Sequence, residues 1–108
     1  MSVAVLNLGV GNTASMLFAL DRLGAKAVLT DDPQRLADAE RIIFPGVGSA
    51  GFAAKRLAET GLDDVLQAFP RPLLGVCLGM QMLYQASEEG DAAALGLIPG
   101  VVRAIPAS

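Results

Sequence analysis

The stretch LLGVCLGMQMLY, residues 73–84, carries the only cysteine of the chain. An apolar run enters it, a helix-like run leaves it, and Gly75 and Gly79 stand two residues to either side of Cys77. Two readings follow. In one, Cys77 is a small apolar residue packed in a core, as free cysteines commonly are. In the other, Gly75-Val76-Cys77-Leu78-Gly79 is the G-x-S-x-G elbow with cysteine for serine. Such an elbow holds its nucleophile on a strained strand-to-helix turn, so its flanking positions must lack side chains. The N–H of the next residue, Leu78, is then expected to be free for an oxyanion, and the start of a helix favours thiolate over thiol.

The elements on either side support the elbow. VAVLNL (3–8), KAVLT (26–30), RIIF (41–44) and PLLGVC (72–77) read as strands. Between them lie a helix over 13–23 with Met16, Leu17, Leu20 and Leu23 on one face, a short helix opened by Asp32-Pro33, and helical segments to about residue 69. Leu62, Val65, Leu66 and Phe69 share one face of the last of these. A further helix is expected over 78–88, then strand-like pieces in ALGLIPGVVRAIPAS. Strands alternating with helices predict an α/β fold: three layers, with a mainly parallel sheet covered by helices on both faces. Ligands in such sheets sit at the carboxyl ends of strands. Three glycine-bearing loops leave strand ends there, at 9–12, 45–51 and 75–79.

Composition narrows the class. Of the 108 residues, 53% are apolar and 18% charged, which points to strands buried on both faces, or to surface that a partner or a missing segment would cover. A net charge of −3 without a Lys/Arg cluster argues against nucleic acid and anionic membranes as partners. One cysteine excludes an internal disulfide and fits a reducing, cytoplasmic location, and no apolar run reaches membrane-spanning length. No metal-ligand spacing is present.

Two further loops bear on function. Pro45-Gly46-Val47-Gly48 is a candidate second oxyanion donor, or an ordinary strand-to-helix connection. Gly9-Val10-Gly11-Asn12-Thr13-Ala14, with Asp31 and Asp32 after the second strand, approaches the dinucleotide fingerprint, so a dinucleotide-binding module is a rival reading. A histidine-independent thiol or redox protein is another. Gln81 lies four residues after Cys77, one helical turn along.

PGVGSAG, LLGVCLGMQMLYQASEEG and LGLIPG, in that order, together with LGVGNTASMLFALDRLG, resemble the glutaminase subunits of imidazole glycerol phosphate synthase. These are class I glutamine amidotransferases of histidine biosynthesis. The resemblance runs along the whole chain. It implies a glutaminase without cofactor in which Cys77 attacks glutamine. It implies an oxyanion hole from the backbone of Val47 and Leu78, and glutamine bound by Gly46, Gly48 and Gln81. It further implies a heterodimer with a cyclase subunit, a (β/α)8 barrel, with Asn12 at the interface. The family's catalytic histidine and glutamate belong to a later segment, and these residues include no histidine at all. Residues 1–108 are therefore expected to form the N-terminal portion of such a domain, catalytically incomplete alone and either self-associating or marginally stable.

Overall fold

The structure is a computed structural model that describes residues 2–9, 13–46, 50–87, 92–103 and 105. Four strands, β1 (Ser2–Leu6), β2 (Lys26–Thr30), β3 (Arg41–Phe44) and β4 (Leu73–Gly75), form one sheet in the order β2-β1-β3-β4. Every neighbouring pair is parallel, with Val5 opposite Leu29 and Ile43, and Ile43 opposite Leu74. The chain steps from β1 out to β2 and then back across β1 to β3. Crossovers of one hand in opposite directions must lie on opposite faces. Accordingly α1 (Thr13–Arg22) packs Met16, Leu17 and Leu20 on Val3, Val5 and Ile43. The other face receives α2 (Pro33–Asp38), α3 (Ala50–Thr60), α4 (Leu62–Ala68) and α5 (Leu78–Met82). Their Leu36, Ala53, Leu57, Leu62, Leu66, Leu78 and Met82 close over Ala4, Leu6, Ile42 and Phe44. Burial on both faces is why β1 reads as a continuous apolar run rather than an alternating one.

Local chemistry sets the joints. The Asp32 carboxylate accepts the Gln34 N–H at 3.0 Å and caps α2, with Pro33 as the first helical residue. Gly61, at φ 73°, divides α3 from α4 by a left-handed turn that other residues resist. Leu23 lies just past the end of α1 and is exposed, so the apolar face of that helix is Met16, Leu17 and Leu20 without it. Arg71 ties the entry of β4 to the end of α2. Its guanidinium donates to the carbonyls of Ala37 and Ala39 and stacks on the Phe69 ring at 4.9 Å.

The helix expected over 78–88 is much shorter, ending at Met82. The reason is competition for its last carbonyls. Met82 O accepts Leu95 N–H, Leu83 O accepts both Leu97 and Ile98 N–H, and Tyr84 O accepts Gly96 N–H, all at 2.8–2.9 Å. The LGLIPG segment thus satisfies the helix end that a longer helix would have satisfied internally. Residues 86–87 instead form β5 (Ala86–Ser87), the centre of a small sheet with β6 (Ala92–Ala93), antiparallel, and β7 (Val101–Val102), parallel.

Apolar surface remains open beside β4 on the α1 face. A groove of about 390 Å3 is lined there by Val3, Leu20, Ile43, Leu73 and Leu74, and Leu74 is 58% exposed.

Ser2 and Glu40 join the starts of β1 and β3 reciprocally: Ser2 N–H donates to Glu40 Oε1 at 2.8 Å, and Glu40 N–H donates to Ser2 Oγ at 3.2 Å. The Ser2 N–H bond holds the Glu40 carboxyl below its ordinary value of 4.5. A lowered folded value means stability present above the unfolded value and lost as pH falls through the folded one. Replacing Glu40 by Gln is therefore expected to lower the melting temperature at pH 7, and the gap should close as pH is taken well below 4.5. Thermal melts of both proteins across pH 3–7 check this.

Candidate active site

Cys77 sits where the sequence predicts, on the turn between β4 and α5. Its backbone has φ 54° and ψ −117°, and among the described residues no other non-glycine has positive φ. A conformation of this kind costs on the order of 1–3 kcal/mol and persists only where its surroundings enforce it. The flanking glycines show the enforcement. A Cβ on Gly79 would lie 1.7 Å from the Phe44 carbonyl oxygen, and one on Gly75 would lie 2.6 Å from Met80 Cα. The turn is folded so tightly onto β3 and onto its own helix that backbone occupies both side-chain positions.

Hydrogen bonds fasten the same turn. Val76 N–H continues the β3–β4 ladder by donating to Phe44 O at 2.9 Å. Gly79 N–H donates to Val76 O and Gln81 N–H to Cys77 O, closing the first turn of α5. Leu78 and Gly79 are buried while Cys77 is an exposed free thiol. The packed-core reading of Cys77 is thereby excluded.

Leu78 differs from expectation in one respect. Its N–H is not free, because it donates to Gly46 O at 3.1 Å. That bond joins the elbow to the loop after β3, so the two segments the sequence paired do meet. In this conformation, however, the Gly46 carbonyl occupies the donor an oxyanion would need. Gln81 is half-buried, and its Oε1 is fully buried with no hydrogen-bond donor among the described residues. A buried amide oxygen left without a partner is costly, and a donor brought by a ligand would offset that cost.

Asn12, Val47 and Gly48 lie outside the described residues, as do Gly11 of the fingerprint loop and Glu88 and Glu89. Of the acidic residues paired with that fingerprint, Asp32 is engaged as the cap of α2. Among the described residues there is no cluster of three or more side chains able to hold a metal, and no helix long and apolar enough to cross a membrane. The main-chain contribution of 95–98 to the site escaped sequence reasoning. It rests on backbone groups, and backbone hydrogen bonding between distant segments leaves no residue-type signal.

A doubly wound parallel sheet bearing a strained, exposed cysteine on the turn at the carboxyl end of a strand defines an α/β domain of the cysteine-elbow type. Residues 4–104 match the family Glutamine amidotransferase class-I, and the chain belongs to that family. Among curated proteins it is 48% identical over 101 residues to the imidazole glycerol phosphate synthase subunit HisH of Xanthomonas campestris pv. campestris strain 8004, covering 94% of this chain and 50% of that one. It is also 48% identical over 104 residues to the protein of the same name from Desulfovibrio desulfuricans, covering 94% and 48%. The chain thus spans about half the length of the curated relatives it matches. A crystal structure of a glutamine amidotransferase superposes with a TM-score of 0.79 at 26% identity, over 94% of this chain and 55% of the other. A putative peptidase E from Listeria monocytogenes EGD-e, at 18% identity and a TM-score of 0.73 over 90% and 62%, shares the fold.

Two substitutions test the elbow in opposite directions. Gly79→Ala should destabilise by about 3 kcal/mol or more, since its methyl group meets main chain that cannot rotate away. Cys77→Gly should stabilise by about 1 kcal/mol, because glycine adopts this backbone region without strain. Urea unfolding of the two variants beside the parent measures both.

Proposed function

We propose that this chain is the nucleophile-bearing portion of a glutaminase subunit of imidazole glycerol phosphate synthase, which hydrolyses glutamine to supply ammonia for histidine biosynthesis. The observation that carries the reading is the positive-φ Cys77, exposed at the start of α5 between two glycines that admit no side chain. The 48% identity to HisH proteins narrows the amidotransferase class to this branch.

In this reading the Cys77 sulfur attacks the side-chain carboxamide carbon of glutamine. A C–S bond forms and the carbonyl oxygen takes up negative charge. Collapse of the tetrahedral species breaks the C–N bond and releases ammonia, which carries away the thiol proton. Water then cleaves the glutamyl thioester, freeing glutamate and restoring the thiol. The oxyanion is held by the N–H groups of Leu78 and Val47. Leu78 N–H becomes available once the Gly46 carbonyl turns away from it. Gly46 and Gly48 allow substrate close to the backbone, and the unpartnered Gln81 Oε1 accepts an N–H from the bound glutamine.

Both the departure of ammonia and the hydrolysis are general acid–base steps. These 108 residues contain no histidine, so that function falls to groups outside them. The partner in this reading is a (β/α)8-barrel cyclase subunit, met at the carboxyl edge of the sheet where the loop bearing Asn12 leaves β1. Ammonia passes into that barrel and is incorporated into a phosphorylated nucleotide intermediate.

The test separates attack from turnover. A diazoketone analogue of glutamine should alkylate Cys77, detected as a mass increase on the peptide that contains it, and Cys77→Ala should abolish labelling. Glutamate release by the 108-residue chain should stay at background, since each missing acid–base step is worth roughly 10²–10⁴ in rate. Labelling that persists in Cys77→Ala would overturn the assignment of the nucleophile.

A further inference from the structure

We propose that the open edge of β2 is an interface between two copies of this chain, pairing antiparallel across a two-fold axis with Val28 at the axis. The two four-stranded sheets would join as one continuous eight-stranded sheet. This surface is on the far side of the sheet from β4 and does not depend on the glutaminase reading.

The main-chain directions come first. Asn7 N–H donates to Thr30 O at 2.9 Å, so the polar groups of Thr30 face β1. Main-chain groups alternate sides along a strand, and the five-residue register with β1 turns those of Lys26 and Val28 the same way. The N–H and C=O groups of Ala27 and Leu29 therefore face outward on an edge that no described strand covers. Such an edge is a template for another strand.

Three features select a second copy in antiparallel orientation. First, the hydrogen-bonding positions match themselves: with Val28 opposite Val28 of the second copy, Ala27 faces Leu29 of that copy and Leu29 faces its Ala27. Both form the closely paired, doubly hydrogen-bonded type, which leaves Val28 in the non-hydrogen-bonded type. Second, the sizes fit. Beside the edge on the α1 face lies a groove lined by Leu17, Asp21, Ala25, Lys26 and Ala27, where the incoming Leu29 lies across from the small Ala27. On the α2 face a groove of about 360 Å3, lined by Val28, Thr30, Arg35 and Asp38 among others, receives the second Val28, and Val28 itself is 45% exposed. Third, the charges are complementary. The edge is basic at one end, Lys26, and acidic at the other, Asp31 and Asp32. Antiparallel pairing sets Lys26 opposite Thr30 of the second copy with Asp32 on the diagonal, within reach of a long side chain. Parallel pairing would set Lys26 against Lys26. The opposite edge lacks these features: β4 has three residues, and its Gly75 is pressed against the backbone of α5.

The experiment has two arms, both on the 108-residue chain. Sedimentation should give a dimer at about 100 µM, and Ala27→Pro should raise the dissociation constant at least tenfold. The Ala27 N–H faces the open edge, so proline there spares the ladder with β1. In a Cys77→Ser background, Val28→Cys should form a disulfide-linked dimer under mild oxidation, because non-hydrogen-bonded pairs place their Cα atoms about 4.5 Å apart, within disulfide range. A Leu74→Cys control, exposed on β4 at the opposite edge of the sheet, should cross-link at least tenfold more slowly. A monomeric mass at that concentration, or a dimer whose Val28→Cys form links no faster than the control, overturns the proposal. The cross-link decides should the proline variant fail to fold.

Discussion

The close approach of Gly79 to the Phe44 carbonyl is the constraint on which the rest of the structure depends. It brings the start of α5 against the end of β3 with no side chain between, so the turn connecting β4 to α5 has almost no room. Cys77 takes up the geometric debt as positive φ. The thiol is consequently lifted to the surface while its two successors, Leu78 and Gly79, are buried. A site on a looser turn would be less strained, and its sulfur would be placed less definitely.

Such strain persists only where the surroundings hold it. Here the support is distributed. Phe44, fully buried, anchors the end of β3 in the core beneath α3, α4 and α5. Arg71 secures the entry of β4 to the end of α2 by two carbonyl contacts. Residues 95–98 take the last carbonyls of α5, ending that helix after five residues and fixing it at the far end. The elbow is thus held from its strand, from its neighbour strand and from its helix. The segment that joins β6 to β7 in the small second sheet supplies the third of these restraints.

The bond between Leu78 N–H and Gly46 O expresses a tension between folding and chemistry. A backbone donor aimed at nothing is unfavourable in a buried setting, and the nearby carbonyl satisfies it. An oxyanion would satisfy it more strongly, since charge-assisted bonds exceed neutral ones. The same donor therefore serves the resting structure through Gly46 and, in the proposed reaction, the developing charge. Gln81 shows the complementary situation, an acceptor left without a donor among the described residues in a buried position one helical turn after Cys77.

The sequence by itself determined the order of strands and helices and the parallel α/β class, because those follow from apolar periodicity and from glycine and proline punctuation. It also located the elbow. Two glycines around a lone cysteine, between a strand pattern and a helix pattern, carry local chemical information, and Asp32-Pro33 announced the start of α2 in the same way. Tertiary structure alone decided the length of α5, since the helical pattern through residue 88 is overridden by backbone donors from a segment more than ten residues away. It alone decided that Leu78 N–H is occupied, that Leu23 is exposed, and that the five-residue β2 lies at an edge of the sheet that no described strand covers. Each of these turns on which main-chain groups meet across the fold. Main-chain groups are the same in every residue but proline, so residue identity leaves no trace of such meetings until the chain is folded.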